Sequence, residues 1–84
     1  MAATREDIFN TLKSQLEERG IEGDKITGEA HFVNDLGLDS LDMTEMTLGL
    51  EESYGIEIPD SELENIATVN DAVDLIEKKA SVQT

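Results

Sequence analysis

The sequence predicts an all-α fold, a small four-helix bundle of three main helices plus one short helix, with a long first loop. Three observations predict it. Apolar residues recur at helical spacing in three separate stretches. Each of those stretches opens on a Thr or Asp followed three residues later by an acid, the spacing of a helix-capping box: Thr4…Asp7, Asp39…Asp42 and Thr68…Asp71. Finally, Ile56-Glu57-Ile58-Pro59 alternates like no more than a short extended piece, and no internal repeat or low-complexity segment occurs. At 84 residues the chain reads as a single domain, near the lower end of what one hydrophobic core supports. The expected ordered part is about 4–79, with 80–84 a frayed tail.

The first helix follows Thr4-Arg5-Glu6-Asp7, and Ile8, Phe9, Leu12 and Leu16 form its apolar stripe. Gly20 stops it, and Ile21 is placed to pack back on the last turn. Residues 20–38 are punctuated by glycines and show no sustained period, so they read as a loop. Ile26, Phe32, Val33 and Leu36 are the expected pins, because a long loop in a compact domain needs anchors.

The second helix spans 40–54. At about 100° per residue, Met43, Met46, Thr47, Leu50 and Tyr54 share one face, the core stripe. Leu41 and Leu48 point the opposite way, flanked by Glu45 and Glu52, with Thr44 and Glu51 at the border. One helix cannot bury both faces in so small a molecule. Scattered surface leucines are common, but two among carboxylates beside one serine read as a contact strip, apolar at its centre and acidic around it.

Gly55 ends that helix, and Pro59 pushes Ile58 out of helical geometry. Asp60 is the expected cap of a short third helix over 61–65, with Leu63 and Ile66 inward. Thr68 opens the last helix, whose buried stripe is Val69, Ala72, Val73 and Ile76. Lys78 and Lys79 suit its negative C-terminal end.

Charge narrows the function. The formal net charge is −14, and residues 26–77 hold fourteen acids with no Lys or Arg. Such a field repels nucleic acid and anionic membranes and attracts basic protein surfaces. With no cysteine there is no disulfide, thiolate nucleophile or Cys-based zinc site. No apolar run approaches membrane-spanning length and no signal core opens the chain, so a cytoplasmic monomer without membrane insertion is expected. The single histidine, His31, lies in the loop, and nothing in the sequence sets a general base or oxyanion donors beside any serine. The expectation is therefore no enzyme and no catalytic residues.

Attention falls on Ser40, in the run Asp35-Leu36-Gly37-Leu38-Asp39-Ser40-Leu41-Asp42. By itself it is most simply a helix cap or first-turn serine. Asp39 competes for the capping role, and if Asp39 caps, the Ser40 hydroxyl is left exposed. A phosphodiester formed there would meet the open N–H groups and positive end of the helix.

This octet resembles the prosthetic-group attachment motif of acyl carrier proteins, in which the serine of Asp-Ser-Leu receives 4'-phosphopantetheine. Phe32-Val33 upstream, Leu50-Glu51-Glu52 downstream and Ile56-Glu57-Ile58-Pro59-Asp60 after that extend the likeness, which runs from about Ile8 to Ile76 and is nearest the discrete fatty-acid type. The resemblance implies that a phosphopantetheinyl transferase (holo-acyl-carrier-protein synthase) moves the arm from coenzyme A to Ser40, and that its thiol holds acyl groups as thioesters. It implies a partner-binding surface of Asp39, Leu41, Asp42, Glu45, Leu48, Glu51, Glu52, Ile58 and Asp60. That surface would meet basic patches on the transferase and on acyltransferases, ketosynthases, reductases and dehydratases. It also implies an acyl pocket lined by Met46, Thr47, Leu50, Ile58, Leu63, Ile66 and Ala72, where each buried CH₂ contributes about 0.8 kcal/mol.

Leu38 stands where the family usually has a small residue, and Thr44, Thr47 and Gly49 replace residues that are mostly aliphatic or alanine. Those three cost the helix about 2 kcal/mol relative to alanine, and Thr47 suggests a more polar pocket wall. A specialised carrier for polyketide, lipid or secondary metabolism is the alternative. A chain starting at Met1 without long linkers suggests a discrete carrier. The rivals from other classes are an acidic interaction domain and a divalent-cation binder. Asp60, Glu62, Glu64 and Asp71 match positions 1, 3, 5 and 12 of an EF-hand-like count, yet Asn65 replaces the required glycine. No specific metal site is expected.

Overall fold

The computed structural model describes residues 4–82, with side chains through residue 80. Four helices follow in order: α1 (Arg5–Glu18), α2 (Ser40–Tyr54), α3 (Asp60–Leu63) and α4 (Val69–Val82). No strand occurs among the described residues, and the all-α bundle with one short helix is what the sequence predicted. α1 packs against both α2 and α4. α4 is helical through Val82, and residues 83–84 of the tail expected to fray lie outside the described part.

Each long helix begins as its sequence dictates. Thr4 Oγ1 accepts the Asp7 N–H at 3.1 Å. Thr68 and Asp71 form a reciprocal box, in which the Asp71 carboxylate accepts the N–H groups of Thr68 and Ala67. These bonds hold the Asp71 carboxyl below its ordinary value, against the opposing effect of partial burial. At the end of α1, Gly20 adopts φ +95, its N–H donates to Glu17, and the Ile21 N–H donates to Leu16. This is the left-handed glycine stop with an apolar residue folded back, and Ile21 packs on the core.

One core joins the elements. Ile8, Leu12 and Leu16 of α1, Met43, Met46 and Leu50 of α2, and Val69, Ala72, Val73 and Ile76 of α4 are all buried. Their burial, at about 1.5–3 kcal/mol for each large side chain, is what holds helices of this length, which are marginal alone. Phe9, Tyr54, Leu63 and Ile66 are half-buried at its edge.

The first loop is more structured than its sequence suggested. It contains a 3₁₀ turn, Gly23–Lys25, and a bridge between His31 and Thr68. The Phe32 N–H donates to Ala67, the Val69 N–H to Ala30, and the Asn70 N–H to Gly28 at 2.8 Å. The loop is thereby fastened to the entrance of α4. Its pins are Ile26, Ala30, Phe32 and Leu38, with Leu36 half-buried. Val33, an expected pin, is instead 60% exposed. The turn over 31–38 is wound tightly enough that Phe32 goes inward and its neighbour outward.

The short helix also differs in register. Pro59 is its cap and Asp60 its first residue, so Asp60 does not cap and the helix ends at Leu63. With φ −68 and ψ 158, Pro59 suits the extended cap position, while Asp60 supplies negative charge in the first turn.

Candidate functional site: the entrance of the second helix

Ser40 is positioned by the turn that precedes it. The Asp35 and Leu36 N–H groups both donate to the His31 carbonyl, Gly37 donates to Val33, and Leu38 donates to Phe32 at 2.9 Å. Gly37 reverses the chain with φ +71, a conformation that a side chain would strain. Leu38 then drops into the core, 5% exposed, and fixes the start of α2. This gives the unusual Leu38 a clear role as an anchor just before the serine.

Asp39 wins the competition for the cap. Its carboxylate accepts the Asp42 N–H at 2.9 Å, and the Asp42 carboxylate accepts the Asp39 N–H at 3.3 Å. Ser40 is therefore the first helical residue, exposed, and its hydroxyl has no hydrogen-bond partner among the described residues. The first-turn N–H groups of Ser40 and Leu41 point the same way out of the helix end, open to an anion. An ester phosphate on Ser40 fits this setting.

Next to the hydroxyl lies a surface groove of about 400 Å³, lined by Val33, Asp39, Ser40, Met43, Thr44, Asp60, Leu63, Glu64 and Ile66. Val33, Met43, Leu63 and Ile66 form its apolar lining, and Asp39, Asp60 and Glu64 its acidic lining. A larger cavity of about 860 Å³ lies between α3, α4 and the 55–57 link, and Ile66 lines both. Of the expected acyl-lining residues, Leu63 and Ile66 border the groove beside Ser40. Met46, Thr47, Leu50, Ile58 and Ala72 are buried in the core and line neither space. Thr47 Oγ1 donates to the Met43 carbonyl at 2.7 Å, so its hydroxyl is satisfied by its own helix and does not make the interior polar. Val33, read from sequence as a core pin, belongs to this groove instead, while Met43 lines it from its buried place in the core. Only the winding of the 31–38 turn brings Val33 there.

The two faces of α2 separate as the helical angle predicted. Leu41 and Leu48 are 65% and 52% exposed, while Met43, Met46 and Leu50 are buried. Asp39, Glu45, Glu52 and Asp60 are exposed as well. Two members of the expected contact surface are placed differently. Ile58 is buried, 7% exposed, because its backbone N–H is drawn to the Glu51 carboxylate and its side chain turns inward. Glu51 is half-buried and committed to that bond. Sequence reasoning missed Arg19, whose guanidinium reaches from the end of α1 to Asp42 at 3.1 Å and Glu45 at 2.9 Å. No local signal marks a pair 23 and 26 residues apart.

The residues of the EF-hand-like count go to separate tasks. Asp71 caps α4 and Glu62 pairs with Lys79 at 3.1 Å. No group of three or more His, Asp or Glu side chains able to hold a metal ion occurs among the described residues. No described helix is long and apolar enough to cross a membrane.

Comparisons with known proteins cover nearly the whole of this helical fold. Residues 8–76 match the family described as the phosphopantetheine attachment site. Over 78 residues the chain is 42% identical to an acyl carrier protein of Thermotoga maritima, an alignment covering 92% of this chain and 96% of that protein. With a four-helix fold and a match spanning nearly all of it, the chain belongs to the acyl carrier protein family, and its prosthetic group is covalently attached 4'-phosphopantetheine.

Proposed function

We propose that Ser40 is the attachment residue and that the chain carries acyl intermediates through fatty-acid synthesis in the cytoplasm, without catalysing a reaction itself. One observation supports this above the others: Asp39 takes the helix cap and leaves an exposed, unengaged hydroxyl at the first turn of α2. Ser40 supplies the accepting oxygen when a transferase brings coenzyme A. The neighbouring carboxylates of Asp39 and Asp42 are engaged in the capping box, so the base that takes the serine proton belongs to the transferase. The open first-turn N–H groups stabilise the phosphodiester charge, while Asp39 and Asp42 repel it and keep the arm off the surface. When attached, the group supplies a thiol that holds acyl chains as thioesters.

The groove beside Ser40 is the entry for such a chain, between Val33, Met43, Leu63 and Ile66. Deeper shelter near Met46, Leu50 and Ala72 requires Leu63 and Ile66 to move, since those inner side chains are packed. Each CH₂ sheltered contributes about 0.8 kcal/mol. Leu41 and Leu48, ringed by Asp39, Glu45, Glu52 and Asp60, meet the basic faces of the transferase and of acyltransferases, ketosynthases, reductases and dehydratases.

Incubation with coenzyme A, Mg²⁺ and a phosphopantetheinyl transferase tests the assignment. Intact mass is expected to rise by one phosphopantetheine, and Ser40→Ala is expected to stay unmodified. An unmodified wild-type chain, or a modified Ser40→Ala chain, overturns it.

A further inference from the structure

In the central, uniformly acidic part of this molecule, α2 is not met by solvent alone. The Arg19 guanidinium forks across from the end of α1, giving one nitrogen to Asp42 Oδ1 at 3.1 Å and another to Glu45 Oε2 at 2.9 Å. Its side chain is 24% exposed, more sheltered than either carboxylate. A groove of about 540 Å³ runs between α1 and α2, lined by Arg19 itself together with Gln15, Glu18, Glu45 and Glu52. Asp42 is shared: Oδ1 takes Arg19 while Oδ2 takes the Asp39 N–H of the cap that presents Ser40.

We propose that Arg19 is a positioning residue that sets the specificity of docking by occupying, from within the chain, the place of a partner's arginine on Asp42 and Glu45. The proposal rests on the reading that basic enzyme surfaces dock on α2. A planar guanidinium between two carboxylates is the same chemistry an approaching basic protein offers. A partner that reads the Ser40 end of α2 must displace Arg19 or go without those two acids. A partner that reads Leu48 and Glu52 meets carboxylate charge that Arg19 does not pair, since its two ion pairs are with Asp42 and Glu45. Arg19 therefore weakens contacts at the attachment end relative to the far end, and it ties α1 to the cap at Ser40 through Asp42.

The test is the steady-state rate of Ser40 modification by a transferase that accepts the wild-type chain, at low and high ionic strength. Arg19→Gln keeps the stem and removes the charge, and is expected to lower KM for the carrier about fivefold at low salt. The difference shrinks as salt screens the exposed acids, and the change falls in KM and not in kcat. Arg19→Lys, which keeps a cation without the fork, is expected to fall between the two. If the wild-type chain is modified but KM for Arg19→Gln is equal or higher, this proposal fails alone. If the wild-type chain is not modified at all, the parent reading fails and this one with it.

Discussion

The Glu51 carboxylate accepts the backbone N–H of Ile58 at 2.7 Å, across the turn that leaves α2. In the same turn the Ile56 N–H donates to the Glu51 carbonyl, so one residue holds the chain at both its backbone and its side chain. This link carries Ile56 and Ile58 into the core and sets where α3 begins. A partly buried hydrogen bond to a charged acceptor is worth about 1.5–3 kcal/mol. Glu51→Ala is expected to destabilise the protein by that amount in urea unfolding. Glu52→Ala, one residue on and exposed, is expected to leave stability unchanged or slightly raised, because it removes one of many repelling charges. Equal effects would show that the Ile58 bond contributes little.

Leu48 and Leu50 lie two residues apart on opposite faces of one helix, the first half exposed and the second buried. Leu50→Ala is expected to cost about 2–5 kcal/mol. Leu48→Ala is expected to change stability by less than about 0.5 kcal/mol while weakening transferase binding. Loss of fold in Leu48→Ala, measured by circular dichroism, would place that leucine in the core.

Gly49 sits where α2 faces α1, and a methyl added there would stand 2.8 Å from the side-chain oxygen of Gln15. That oxygen is the end of a flexible chain and can turn away. Gly49→Ala is therefore expected to stabilise by about 0.5–1 kcal/mol through helix propensity, read as a higher melting temperature. A lower one would mean that Gln15 is held in place.

Asp71 gives the acid response a sign. Its carboxyl is held below the ordinary 3.8, first by the Thr68 N–H and then by that of Ala67, with the Thr68 hydroxyl and the charge of His31 adding less. A group depressed in the folded state contributes stability above its unfolded value and loses it as pH falls through the folded one. The stability difference between wild type and Asp71→Asn is thus expected to be full at neutral pH and to narrow below 3.8. Parallel unfolding curves across that range would contradict it.

Helix entrances and the division of α2 into two faces were legible because they depend on neighbours three or four residues apart. Asp39…Asp42 and Thr68…Asp71 cap as their spacing requires, and Leu41 and Leu48 lie outside because 100° per residue puts them there. Val33 and Ile58 were not legible. Val33 faces out because the 31–38 turn is wound by its own carbonyls, and Ile58 faces in because a side chain seven residues earlier captures its N–H. Within the acyl-lining set, which residues border open space depends on where α3 and the turn after it stand across the groove from the start of α2, a packing result with no local signal.

By itself, then, the order of residues determined the four helices and the acidic character of α2, and narrowed its cap to Asp39 or Ser40, since each follows from short-range hydrogen bonding and periodicity. Tertiary structure alone decided that Arg19 would reach Asp42 and Glu45, that the loop would clasp α4 from Gly28 to Phe32, and that a groove would open beside Ser40. Those contacts join residues distant in the chain, and they form only once burial of Ile8, Leu12, Leu50 and Ile76 has brought the helices together.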